Sequence, residues 1–164
     1  MKLLAACESG GHLTQMIHIL KQIKLTKKSD LNVVLVTEDS TRTRDSGDDI
    51  FVKVYLLEMS KHKNKYLRYL HAFSPSVFFE IAKILKKERP EVILSTAGWV
   101  SIPTFILAKL VFRIPTIYIH SWSRVTKKSD SGRILYYLSD IFIVQWPQLL
   151  EKYGKKAKYF GGIL

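Results

Sequence analysis

Four residues near the start of the chain, Ser9-Gly10-Gly11-His12, have the types and spacing of a ligand loop. Adjacent glycines let a backbone turn tightly and bring its N–H groups close to a bound group. At the opening of a helix those N–H groups carry a partial positive charge that suits phosphate or carboxylate. A neutral imidazole at His12 would accept a proton from a hydroxyl nucleophile. A plain glycine turn with a surface histidine reads the same way, and the quartet alone does not separate the two. No Gly-x-Gly-x-x-Gly fingerprint is present, which argues against a dinucleotide site.

Two later segments offer similar chemistry. Ser95-Thr96-Ala97-Gly98-Trp99 brings hydroxyls, including that of Thr96, together with Gly98. That composition suits a ligand loop, or an ordinary strand–helix turn in which Trp99 packs. His120-Ser121-Trp122-Ser123-Arg124-Val125 adds the hydroxyls of Ser121 and Ser123 and a guanidinium, Arg124, that can pair bidentately with phosphate. A solvated basic loop is the plain alternative there. The five histidines are scattered, no acidic pair stands out, and neither a P-loop nor a Gly-x-Ser-x-Gly elbow occurs. No metal and no organic cofactor is expected.

The elements that must position these loops follow from hydrophobic periodicity. Residues 2–7, 31–36, 51–57, 91–95, 115–119, 140–144 and 157–160 read as strands. Within the strand read over 31–36, Val33 to Val36 is continuously apolar, as in a strand buried on both faces. A helix is expected from near Leu13, with Leu13, Met16, Ile17, Leu20 and Ile23 on one face. Others span Pro75 to Glu88, stopped by Pro90, then Ile102 to Phe112, Ser131 to Leu138 and Pro147 to Tyr153. Strand–helix alternation predicts an α/β fold: a Rossmann-like parallel sheet with helices on both faces, formed by one domain over residues 1–164. Ligands of such sheets bind at the carboxyl ends of the strands, and each of the three loops follows a strand.

The chain has 164 residues and a net charge of +12, a field that attracts anions without choosing among them. Cys7 is the only cysteine, so no intrachain disulfide forms and a reducing compartment is the natural setting. Lys61, Lys63, Lys65, Tyr66, Arg68 and Tyr69 form a basic, aromatic stretch; Lys152, Lys155, Lys156 and Lys158 form another. Such stretches can lie on an anionic membrane surface, or be a solvated charged face. No apolar run approaches the length of a membrane span, so contact with a bilayer would be peripheral. No nucleic-acid-binding motif is present, and no nucleic-acid partner is expected.

Taken together, several blocks resemble one family. They are Ser9-Gly10-Gly11-His12, Ser121-x-Ser123-Arg124-Val125, Ser131-Gly132-Arg133-Ile134-Leu135-Tyr136, then Asp140 with Phe142-Ile143-Val144-Gln145-Trp146, and Lys158-Tyr159-Phe160-Gly161-Gly162. The family contains PssD-type capsule and exopolysaccharide proteins and the membrane-anchor subunit of the split dolichol-linked UDP-GlcNAc transferase. The resemblance implies the N-terminal, acceptor-binding half of a GT-B glycosyltransferase such as MurG. It further implies a PssE-like partner chain that binds the UDP-sugar, and a polyprenyl-diphosphate-linked sugar as acceptor. His12 would be general base, with Ser9, Gly10, Gly11, Thr96, Gly98, Ser121, Ser123 and Arg124 around the acceptor and its phosphates. The alternative is a non-catalytic scaffold that only recruits and activates the partner. The chain opens directly at its first strand, which fits a peripheral protein on the cytoplasmic face of a bacterial membrane. It departs from the family at His120, where a glutamate usually precedes the serine, and at Trp99, where a small residue is usual. Both departures are expected on the ligand edge.

Overall fold

A computed structural model describes residues 1–27, 30–39, 49–58 and 65–162. Lys61 and Lys63 of the basic, aromatic stretch lie outside the described residues. The elements run β1 (Lys2–Cys7), α1 (Gly11–Lys27), β2 (Asn32–Glu38), β3 (Phe51–Leu57), α2 (Lys65–Ala72), α3 (Pro75–Glu88) and β4 (Val92–Ala97). They continue with α4 (Ser101–Leu107) and a π-helical turn over Ala108–Phe112, then β5 (Thr116–Ile119), α5 (Asp130–Leu138), β6 (Ile141–Val144), α6 (Gln148–Tyr153) and β7 (Ala157–Tyr159).

The seven strands form one sheet in the order β3-β2-β1-β4-β5-β6-β7, and every pairing is parallel. Side chains alternate across a strand, so β1 feeds two cores. Leu3, Ala5 and Cys7 pack with Leu13, Met16 and Leu20 of α1 on one face. Leu4 and Ala6 face the other, against Ile81 and Leu85 of α3, Ile102 and Phe105 of α4, Leu135 of α5 and Leu149 of α6. The expected doubly covered parallel sheet is therefore the observed one.

Some elements run past the sequence expectation, while β5, β6 and β7 are each one residue shorter than expected. Apolar periodicity ends an element at its last apolar residue, whereas backbone hydrogen bonds continue past it. The ladder carries β2 on to Glu38 and β4 on to Ala97. Helix α1 starts at Gly11, with Thr14 N–H donating to Gly10 O at 2.9 Å. The single helix expected over 102–112 is α-helical only to Leu107, and Ile114 N–H closes onto Ala108 O at 2.9 Å. Arg89 stops α3 in the left-handed region at φ 45°, donating to Leu85 O, just before Pro90.

Strand β1 has β2 on one side and β4 on the other, so the crossovers leave it in opposite directions. In sheets of this kind ligands bind outside the carboxyl ends of the strands at such a reversal, here β1 and β4.

Candidate functional site

The β1–α1 and β4–α4 loops meet at this edge. Ala6 pairs with Ser95 but Cys7 pairs with Ala97, so β4 carries an extra residue as it arrives. Beyond that irregularity Ala97 has φ 108° and Gly98 φ 109°, a backbone region that L residues rarely adopt. Holding an alanine there costs about 1–3 kcal/mol, and such strain clusters where a loop is shaped for a ligand. The bend sends Trp99 N–H to Glu8 Oε1 at 2.9 Å. It also presses Gly98 onto Glu8: a Cβ at residue 98 would lie 2.5 Å from Glu8 Cγ and 2.9 Å from Glu8 N. On the opposing loop Gly10 takes the positive φ, 79°, that turns the chain into α1.

His12 is half-buried in the first turn of α1. Its carbonyl accepts a hydrogen bond from Thr96 Oγ1 at 2.8 Å, which ties the two loops together. Its Nδ1 is buried without a hydrogen-bond partner among the described residues. Burial, chiefly, pushes the imidazole pKa down; Glu8 opposes this and Arg124 adds to it. The ring is therefore neutral near pH 7 and can accept a proton.

Glu38, at the end of β2, is buried behind this histidine loop. Its Oε1 accepts from Ser9 N–H at 3.3 Å and from Ser9 Oγ, and its Oε2 accepts from Trp99 Nε1 at 3.2 Å. One carboxylate thus locks both loops. Trp99, expected on the ligand edge, is buried and bonded inward. Cys7 is buried too, and desolvation lifts its thiol pKa to about 12, so it is no nucleophile.

The third segment joins through Gln15 of α1. Gln15 is fully buried; its Nε2 donates to His120 O at 3.1 Å and its Oε1 accepts from Trp122 N–H at 3.4 Å. His120, also expected on the ligand edge, points into the core beside Tyr118, Phe142 and Tyr153. Its ring nitrogens lie 3.3 Å from Ser121 O and 3.3 Å from Ser129 Oγ. Burial lowers its pKa to about 4. Ser121 is buried, with its hydroxyl 3.0 Å from that of Ser123. Ser123 and Arg124 are exposed, and the charge of Arg124 depresses the pKa of both His12 and His120.

All nine residues singled out from sequence thus lie in, or directly beside, three loops at one sheet edge. The orientations divide them. Ser9 and Thr96 spend their hydroxyls on Glu38 and on the His12 carbonyl. Gly98 serves a close backbone approach to Glu8. His12, Gly10, Gly11, Ser123 and Arg124 are left at least partly open to solvent. Sequence reasoning missed Glu8, Glu38 and Gln15. Gln15 carried a signal, being polar on a helix face otherwise built from Leu13, Met16 and Leu20. Among the described residues no group of three or more His, Cys, Asp or Glu could hold a metal ion.

Comparison with known proteins places the chain in a family context. The family described as "Oligosaccharide biosynthesis protein Alg14 like" matches residues 4–163. The "UDP-N-acetylglucosamine transferase subunit ALG14" of Yarrowia lipolytica is 32% identical over 181 residues, covering 98% of this chain and 80% of that protein. Its Homo sapiens counterpart is 26% identical over 186 residues, covering 100% of this chain and 83% of that protein. Among solved structures, Acinetobacter baumannii MurG superposes with a TM-score of 0.74 at 13% identity. That match covers 99% of this chain but 46% of MurG, so the chain spans about half the length of that fold relative. At such identity the likeness establishes the Rossmann-like fold.

Proposed function

We propose that this chain, which belongs to the Alg14-like family of oligosaccharide biosynthesis proteins, is the acceptor-binding, membrane-associated subunit of a two-chain glycosyltransferase. The donor would be a UDP-sugar held by a separate, PssE-like chain, and the acceptor a sugar on polyprenyl diphosphate. UDP-GlcNAc is the first donor to test, since the relatives are named for it; UDP-glucose and UDP-galactose follow. The setting is capsule, exopolysaccharide or lipid-linked oligosaccharide synthesis at the cytoplasmic face of a bacterial membrane.

The observation that carries this reading is a neutral, half-buried His12 at the switch point of the sheet with Arg124 nearby. In the reaction an acceptor hydroxyl oxygen bonds to the donor's anomeric carbon as the bond from that carbon to UDP breaks. His12 takes the hydroxyl proton as the new bond forms. Gly10 and Gly11 let the acceptor approach the backbone closely, and Arg124 sits where it offsets phosphate charge. Glu8, Glu38, Thr96 and Gln15 act as positioning residues that fix the loops.

Membrane association has its own support. Tyr66, Leu67 and Leu70 of α2, Phe73 after it, and Phe79 of α3 are exposed large apolar side chains, and Lys83 Nζ lies 4.8 Å from the Phe79 ring centre. No helix among the described residues is long and apolar enough to cross a bilayer. Exposed apolar side chains with a lysine beside them suit the interface of an anionic membrane.

A scaffold role is the competing reading, favoured by the inward commitment of Ser9 and Thr96. The deciding experiment supplies membranes containing a lipid-diphosphate-sugar with a labelled UDP-sugar panel. This chain, the candidate partner and both together are compared. Transfer only with both is expected. His12→Ala is expected to lower turnover by about 10²-fold or more while partner binding persists; undiminished turnover would mean a scaffold, and transfer by this chain alone would refute the split-enzyme reading.

A further inference from the structure

Beside the glycine loop a concavity opens between the loop after β5 and helices α5 and α6, with a volume of about 660 Å³. Five cations line it, Arg124, Lys127, Lys128, Arg133 and Lys152, and no carboxylate does. Among the described residues none of the five is ion-paired with an acid. Like charges gathered without counter-charge repel one another, and an anion relieves that repulsion.

The walls are built rather than incidental. Tyr136 and Tyr153 stack at the rear, 5.8 Å between ring centres and 25° between planes. Lys128 Nζ sits 5.1 Å from the centre of the Tyr153 ring. Lys152 Nζ donates to Thr126 O, pinning the loop to α6 and leaving the other ammonium protons available. Ser129 caps α5 by accepting from Gly132 N–H at 3.0 Å. Gly132 permits the close approach of α6: a Cβ there would lie 2.5 Å from the Tyr153 hydroxyl oxygen. The two arginines bring fork-shaped donors that match phosphate oxygens.

We propose that this cleft is a second anion site, distinct from the glycine loop, that takes a phosphate or diphosphate group. Its ligand is borne either by a prenyl diphosphate or by an anionic lipid headgroup. Arg124 stands at the shared border, so a diphosphate seated in the cleft leads the group it carries toward His12; that last step rests on the glycosyltransferase reading, whereas the anion site does not.

The test is calorimetric titration of the full chain with inorganic pyrophosphate. The double variant Lys128→Gln/Arg133→Gln is compared with Lys86→Gln/Lys87→Gln, which removes the same charge from the exposed end of α3. Saturable binding is expected, weakened about tenfold or more in the cleft variant and changed less than about twofold in the control. Equal weakening in both, or no saturable binding, overturns the site in favour of the general positive field. Competition by soluble farnesyl diphosphate assigns the ligand to a prenyl diphosphate. Competition by phosphatidylglycerol vesicles, and not by phosphatidylcholine vesicles, assigns it to a headgroup. Circular dichroism of both variants verifies folding. Pyrophosphate binding needs no partner chain, so a failed transfer assay leaves this result standing, and the reverse.

Discussion

At the residue scale, two buried polar side chains govern the candidate site from behind. His120 has a folded pKa of about 4 against an ordinary 6.5, because it is fully buried among aromatic rings. Between those values the unfolded chain binds the proton and the folded chain does not. Stability therefore falls as pH drops below 6.5, and this loss is complete near pH 4. The full span is roughly 3 kcal/mol. Denaturant titrations at pH 7 and pH 4.5 should show the wild type losing much of this, and His120→Gln losing distinctly less. An unchanged acid limb in the variant would assign the slope elsewhere. Glu38 works through hydrogen bonds. Glu38→Gln keeps the shape but exchanges charge-assisted acceptors for an amide facing the Ser9 and Trp99 donors. A loss of about 1–3 kcal/mol is expected by chemical denaturation, with the transfer rate falling as the histidine loop loosens.

At the element scale, the paired β1–α1 and β4–α4 loops depend on glycine for two separate reasons at residue 98. Its φ of 109° penalises any L side chain, and a Cβ would collide with Glu8 backbone and side chain alike. Gly98→Ala is expected to cost about 2–4 kcal/mol, read as a lowered thermal midpoint. Gly11 is the contrast, since a Cβ there meets nothing within 4 Å. Gly11→Ala should leave the midpoint nearly unchanged, because alanine also favours the helix it would join. A loss of transfer activity with that midpoint intact would mark Gly11 as a ligand-approach position rather than a folding one. The sheet's far edge is held by Glu88 of α3. It accepts from Lys2 Nζ at 2.8 Å, Tyr55 Oη at 2.5 Å and Lys53 Nζ at 3.1 Å, and these partners lower its pKa to about 2. That stabilisation is present above the ordinary carboxylate value and fades as pH falls toward 2.

At the scale of the whole molecule, one group of exposed apolar side chains and one group of cations sit on different helices. The exposed side chains of Tyr66, Leu70, Phe73 and Phe79 gather on α2 and α3. The uncompensated cations of the cleft gather around α5 and α6. Membrane binding should accordingly have two separable parts. Leu70→Glu/Phe79→Glu is expected to reduce flotation with phosphatidylglycerol vesicles about tenfold or more even in high salt, since it removes apolar insertion. The remaining electrostatic part should weaken as salt rises. Vesicle binding that survives the apolar substitutions in high salt would exclude α2 and α3 as the membrane face.

The sequence by itself determined the parallel α/β architecture. Continuous apolar runs such as Val33–Val36 can only be satisfied by covering both faces of a sheet, and alternating helices supply the cover. It also determined which three loops share one edge, because in a parallel sheet every strand ends on the same side. What it left open was orientation. Ser9, Thr96, Trp99 and His120 have the side chains of ligand contacts, yet the structure turns each toward Glu38, the His12 carbonyl or the core. Glu38 and Gln15 looked like ordinary polar residues, and only packing 29 residues away from Ser9 and 105 away from His120 gave them partners. Strand and helix periods are local and readable from neighbours. The direction of a polar side chain is decided by donors and acceptors brought close by folding, and those pairings are set in three dimensions.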